Sequence, residues 1–506
     1  MHHDQTSWEL PRNTNQARGI AEYAKAFVAG QGTPSEAVLA RLEQFHLDSV
    51  GCGLAALGEG ANAPWVLRHE ARDYPQTGNS FCLGDEVPVA MEKAIAANVA
   101  AVRELDSNGT NFGFNPKRGA TRGEFGHNDF YPVVWAGAAA KGLDGKTALR
   151  AMLCLDEIRG RLAEVFPLRN YKIDHVVHGA IGSAAVLGAL LGATVDQIES
   201  AIGMTVAHYI PFRAIRAGHQ LSDSKGASAA ISTEAAALSV LRSMRGFIGP
   251  KDIFRNPQAI FRLNEPTKTH DESPFDLDMG MSGDDFAIMS MHFKLGLYEH
   301  QSAGAIGGAI ELLRKYPGLL ASPELLQRVV ITIYEPAFGI IGDPAKRNPE
   351  TRQSADHSMV YIIATLLRKA FEKRIASWED LMLLPEDYND SALWNAQTRS
   401  IMEKIEFRHG GPDYDSKYPE GIPTTVDMVH KTLGNVSSGL VMFPMGHALC
   451  KEPNLESLLH LKFSRLASQG VDDVEEVRTR FSNLAQKSAA EFRDMLKFRL
   501  SVSAAH

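Results

Sequence analysis

The 506-residue chain is 44% hydrophobic and 22% charged and carries a formal net charge of -8. These proportions exclude a disordered or fibrous chain, and the negative balance leaves no global attraction for nucleic acid or an anionic membrane, so neither is expected as a partner. An anionic ligand would need a local basic pocket. At about 150 residues per domain, the length predicts two or three units. Cys52, Cys82, Cys154 and Cys450 form no CxxC pair and no zinc or iron–sulfur spacing, so no metal is expected and the thiols read as reduced. Residues 1 to 16 carry neither an apolar core with basic flanks nor an Arg-rich amphipathic stretch, which makes the cytoplasm the expected location.

In chain order, Thr33-Pro34-Ser35-Glu36 combines an N-cap, a proline at the first helical position and a glutamate placed to close a capping box. A helix is predicted from there through Phe45. The apolar run Gly179 to Ala193 is interrupted by Ser183 and falls short of the roughly 20 residues that span a bilayer. It reads as a buried helix whose small residues, Gly179, Gly182, Ala184 and Gly188, let backbones approach closely. Thr194-Val195-Asp196-Gln197 repeats the capping logic before Ile198, so a helical hairpin is expected. Gly226 to Arg245 reads as another helix of small residues. After about Met291 the pattern changes, and Arg328 to Tyr334, Ile401 to Arg408 and Ser438 to Phe443 read as strands around a helix from Ala355 to Lys369. Asn454 to Leu500 is helical again. The expected fold is mostly α with an α+β second domain: a large helical domain over 1–290, completed by the C-terminal helices 449–506, and a smaller α+β unit over 291–448.

Several segments occur in one order along nearly the whole chain: Leu47-Asp48-Ser49-Val50-Gly51-Cys52-Gly53-Leu54, Val102-Arg103-Glu104-Leu105-Asp106 leading to Thr110, Asp174-His175-Val176-Val177, Arg213-Ala214-Ile215-Arg216 with Lys225, Phe293-Lys294 followed by His300, Asn348-Pro349 with Asp356-His357-Ser358-Met359-Val360-Tyr361, and Pro444-Met445-Gly446-His447. Together they resemble the MmgE/PrpD family. The resemblance implies a helical domain with an α+β lid and an enzyme that needs no metal or organic cofactor. The implied activities are 2-methylcitrate dehydratase, cis-aconitate decarboxylase and an epimerase of iminodisuccinate. All three share one difficulty: a C–H beside a carboxylate gives up its proton only if the resulting negative charge is held.

That chemistry singles out Arg213, Arg216 and Lys225 as a cationic cluster, joined by Lys294 in the family's arrangement. Lys225 would also open a helix whose free N–H groups favour an anion. Asp106 and Thr110 lie four apart and would share a helical face if the helix persists, although Ser107-Asn108-Gly109 is a turn signal. By resemblance both face the substrate. His127 aligns with a family histidine suited to proton transfer, but Asn128 follows it where proline is common, and Asn115 to Arg122 looks like an insertion. His175 and His178 lie three apart, too weak a pattern for a metal site, and only His175 is carried over as catalytic. Tyr361 matches a lid tyrosine directed at the pocket, His300 a substrate-binding position, and His447 a structural one. The expected reaction is loss of water from a small 2-hydroxy tricarboxylate. Lys225, Lys294, Arg213 and Arg216 would hold carboxylates, and His127 and Asp106 would share proton abstraction and delivery in interchangeable roles. His175 would assist the leaving hydroxyl, and Tyr361 would close the pocket. Decarboxylation and epimerisation are the enzymatic alternatives and a silent dimeric scaffold the other; a homodimer is expected because dimers are the commonest symmetric assembly.

Overall fold

Close approach of helices, made possible by glycine, organises the larger part of the chain. The structure, a computed structural model, describes residues 6–78, 80–216, 220–341 and 346–501. The helices are α1 (Gln16–Val28), α2 (Glu36–Gly58), α3 (Asn62–Arg72), α4 (Met91–Glu104), α5 (Tyr131–Lys141), α6 (Gly145–Val165), α7 (Val176–Leu191), α8 (Val195–His208) and α9 (Asp223–Met244). The apolar run is α7, buried along nearly its whole length. A Cβ at Gly179 would collide with the Phe130 ring, and one at Gly188 would lie 2.6 Å from Ile198 Cγ1. Gly192 ends the helix at φ 82°, a conformation that favours glycine. The predicted capping box at the start of α8 is present: Gln197 N–H donates to Thr194 Oγ1 at 3.2 Å and Thr194 N–H to Gln197 Oε1 at 2.8 Å.

The start of α2 differs from expectation. Its N-cap is Ser35, whose Oγ accepts Val38 N–H, and the helix runs past Phe45 to Gly58. Thr33 and Pro34 instead form a short parallel bridge to Ser282 and Gly283, with Thr33 N–H donating to Met281 O at 2.8 Å. A backbone ladder thus takes the residues that a cap would have used. A second short pairing, Ser7–Leu10 antiparallel to Leu277–Gly280, lies ahead of Met291; four residues are too few to announce a strand by alternation.

A first hydrophobic core gathers α1, α2 and α4 to α9 and takes in Phe463, Phe481, Phe492 and Phe498 from the C-terminal helices. A second core is built mostly from residues between 297 and 436 and also takes in Cys52, Ala55 and Ala56 of α2, Leu105, Phe112 and Leu466. Here four strands are ordered Gly434–Val441, Thr424–His430, Leu326–Ile333, Ile405–His409; the first three run antiparallel to their neighbours and the last is parallel. Ile401 belongs not to a strand but to the helix Ala396–Met402, which Asn395 caps. Thr424–His430 escaped the sequence reading, although its burial alternates strictly. Helix Ala303–Lys315 lies on this sheet, with Gly308 against Val426 and Ser438. Helix Met359–Lys373 begins at the Ser358 cap, four residues later than predicted. Among the described residues no helix is long and apolar enough to cross a membrane.

Helix Leu455–Ala467 ties the chain's end to the turn after α4. Its buried Lys462 donates to Asp48 Oδ1 at 2.5 Å and to Ser107 O at 2.6 Å. Breaking a buried pair leaves one charge uncompensated, whereas replacing both partners by apolar groups is often neutral. Lys462→Met should therefore cost about 3–5 kcal/mol, read by denaturant unfolding, and Asp48→Leu in that background should recover most of it. Equal instability of the single and double variants would remove the pair from this role.

Candidate active site

Helix α4 stops at Glu104, and Leu105 is already extended. Asp106 and Thr110 therefore do not meet on a helical face. The Ser107-Asn108-Gly109 turn brings them together, and Thr110 pairs with the backbone of His127 in a two-residue strand. The buried Asp106 carboxylate receives Arg103 Nη1 at 2.9 Å and Lys294 Nζ at 2.9 Å, and His357 Nε2 lies 3.4 Å from it. Burial alone would raise its pKa, but Lys294, His357, Lys225 and Arg103 together hold it well below the usual carboxylate range.

Lys225 lies in the first turn of α9, fully buried, with Nζ 3.5 Å from Asp356 Oδ1. Gly226 beside it lets the helix end abut the Glu104 carboxylate, which a Cβ would strike. Burial lowers the Lys225 pKa to about 8 against the attraction of Asp356 and Asp106. Arg213 and Arg216 sit on a short 3-10 turn, where Arg216 clasps buried Asp174. The lid contributes Arg352, whose Nη1 reaches Asp356 Oδ2 at 3.0 Å, and His357, whose Nδ1 lies 2.5 Å from Asp356 Oδ1. Burial first, then Lys225, brings His357 down to about 4, so its ring is neutral near pH 7. Asp356 is held below the ordinary carboxylate range, burial being outweighed by Lys225, His357 and Arg352. An ionised Asp356 accepts the proton on His357 Nδ1 and leaves Nε2 as a lone pair.

These groups surround a cavity of about 90 Å³ lined by six Lys or Arg side chains and two carboxylates, Asp106 and Glu299. Of the residues singled out from sequence, Asp106, Thr110, His175 and His300 line it, as do Arg213, Arg216, Lys225 and Lys294. Burial drives His175 and His300 well below the usual histidine pKa, so both are neutral. Tyr361 does not line the cavity. It lies in the second core beside Tyr388, with its hydroxyl donating to Asp387 O at 2.7 Å, because its helix packs on the helices Ala396–Met402 and Ala303–Lys315. The side chain of His127 lies outside the described residues. His178 is buried in α7, and the His447 ring lies tilted against His292 with centroids 4.0 Å apart, both away from the cavity lining. Sequence reasoning missed four polar lining residues: Arg103, Glu299, Lys346 and His357. Arg103 and His357 stood within the quoted motifs, so a signal was present for both. Apolar Phe112, Phe125, Leu221 and Ile340 complete the wall.

The MmgE/PrpD N-terminal domain matches residues 18–272 and the MmgE/PrpD C-terminal domain residues 298–486. A 2-methylcitrate dehydratase of Escherichia coli (strain K12) is 24% identical over 447 residues, covering 84% of this chain and 85% of that protein. A 2-methylcitrate dehydratase of Salmonella typhi is 24% identical over 448 residues, with the same two shares, 84% and 85%.

Two outcomes follow from this geometry. Lys225→Met removes the cation that helps depress His357, so the ring's pKa should rise above about 4, followed by NMR of isotope-labelled histidine; an unchanged titration would separate the two groups. Tyr361→Phe should cost about 1 kcal/mol, the net value of one hydrogen bond, and leave turnover unaltered in steady-state assays.

Proposed function

The chain belongs to the MmgE/PrpD family, and from that premise we propose that it is a dehydratase removing water from a small 2-hydroxy tricarboxylate of the 2-methylcitrate type, without a metal. One observation carries the reading: the neutral ring of His357 stands between Asp356 and Asp106 at a cavity ringed by cations. In this reading Nε2 takes the proton from the carbon beside a substrate carboxylate. The imidazolium then lies between two carboxylates, at 2.5 Å from Asp356 and 3.4 Å from Asp106, which lowers the energy of the charge it gains. The charge left on the substrate falls to Lys225, Lys294 and the two arginines, Arg213 and Arg216, whose fixed positions need no rearrangement as it develops.

Asp106, paired with Lys294 and Arg103, is a weak base in this scheme, and its task is to hold Lys294 charged and to receive the imidazolium. Asp106, Asp356 and His357 do converge closely enough to present ligand atoms to a metal. Lys225, Lys294, Arg103 and Arg352 already face those carboxylates, and a divalent cation would meet four positive charges. This charge balance supports proton chemistry over metal-assisted chemistry at the site.

The test is a panel of citrate, 2-methylcitrate, cis-aconitate and iminodisuccinate, assayed by proton NMR with and without exhaustive chelation. Water loss from a hydroxy acid, unaffected by chelator, is expected. Carbon dioxide release from cis-aconitate with no turnover of either hydroxy acid would overturn the reading, as would activity that needs added metal. His357→Gln and Lys225→Met should each lower turnover at least ~100-fold, as loss of a general base or of a preorganised charge does. Because the neutral ring is the active form, the rate should fall as pH drops through about 4.

A further inference from the structure

Dehydration needs an acid as well as a base, and the scheme above supplies none for the departing hydroxyl. The cations of the cavity are unsuited to the task. Lys294 is held charged by Asp106 at 2.9 Å, an arginine does not give up its proton, and a Lys225 that lost its proton would surrender the charge that holds the anion. His175 and His300 are already neutral, and a neutral imidazole can give a proton only by becoming an anion.

Glu299 remains. It lines the cavity, and its segment bridges the main chains of Asp106 and Asp356. Glu299 N–H donates to Asp356 O at 2.7 Å, while the preceding Tyr298 N–H donates to Asp106 O at 3.1 Å. Its side chain caps the 3-10 turn His300–Ser302, with Oε2 accepting Gln301 N–H at 3.0 Å. This bond fixes the rotamer, and among the described residues nothing donates to Oε1. The groups facing it are Asp106 and Lys294 on one side and Lys346, Tyr334 and Tyr418 on the lid side.

Resting on the dehydratase reading, we propose that Glu299 is the acid that protonates the leaving hydroxyl. The electron pair of the C–H bond becomes the second bond of the alkene, and the C–O pair departs on oxygen. That oxygen takes the Glu299 proton and leaves as water, while His357 keeps the proton from carbon. His357 then returns its proton to solvent and Glu299 regains one, so the enzyme is unchanged. Burial brings the Glu299 pKa up to about 7 against the pull of Lys346, so a protonated fraction is present at neutral pH, and Lys346 and Lys294 stabilise the carboxylate left behind.

The test compares 2-methylcitrate with its analogue carrying fluorine in place of the hydroxyl, since fluoride departs without a proton. Glu299→Gln keeps the shape and the acceptor for Gln301 N–H but has no proton to give. Its turnover of 2-methylcitrate should fall at least ~100-fold with little change in KM, while its turnover of the fluoro acid stays at the wild-type rate. Equal losses on both substrates, or full retention on the hydroxy acid, would overturn the assignment. If the wild-type enzyme dehydrates neither, the dehydratase reading itself fails, which is a distinct result. Should Glu299→Gln not fold, the wild-type enzyme decides. The ratio of hydroxy to fluoro turnover should fall as pH rises through about 7, because Glu299 loses the needed proton, whereas ionisation of Lys225 affects both substrates and cancels. Parallel pH profiles would rule Glu299 out.

Discussion

A carboxylate buried at the seam between two hydrophobic cores must be compensated, and Asp106 is compensated by two cations. Arg103 comes from the end of α4 just before it, and Lys294 from the chain crossing between the cores. An isolated buried charge costs several kcal/mol, so these partners cannot be lost singly without consequence. The same requirement repeats at Asp356, which collects Lys225, Arg352 and His357. Asp356 orients the neutral His357 ring through Nδ1, which leaves Nε2 in the cavity 3.4 Å from Asp106.

This arrangement makes the seam polar. Arg352 of the lid pairs with Glu104 at the end of α4, Leu221 N–H donates to Ser354 Oγ at 2.9 Å, and Tyr298 and Glu299 donate to the backbones of Asp106 and Asp356. Contacts of this kind exchange with water at modest net cost, unlike the apolar contacts within each core. The site is complete only when distant parts of the chain meet, since Lys225 comes from α9, Asp106 from the turn after α4, and Asp356 and His357 from the segment ahead of helix Met359–Lys373. On the far side, Lys462 holds the turn that carries Asp106 through Ser107 O, so the C-terminal helix reaches the chemistry from the opposite end of the chain.

Much of the architecture was legible because local rules were obeyed. The Thr194 capping box, the glycines of α7 and the β-branched run at 326–333 each announced their element through short-range preference. Errors had two sources, a long-range ladder that overrode local preference and a local cap that outcompeted β propensity. Thr33 and Pro34 joined a ladder 249 residues away in sequence instead of opening a helix, and Ile401 was drawn into a helix by the Asn395 cap.

The candidate site divides in the same way. Sequence by itself identified the family pattern, the cationic quartet Arg213, Arg216, Lys225 and Lys294, and Asp106, because residue type and order are local information. It could not say that Tyr361 turns into the second core, that His357 stands against Asp106, or that Glu299 opens on the same cavity. Those facts depend on which face of each element meets the other core, and part of the energy deciding this is compensation of buried charge between residues some 250 positions apart, such as Glu104 and Arg352. Pairing at that separation leaves no periodicity in the sequence, and only the folded chain decides it.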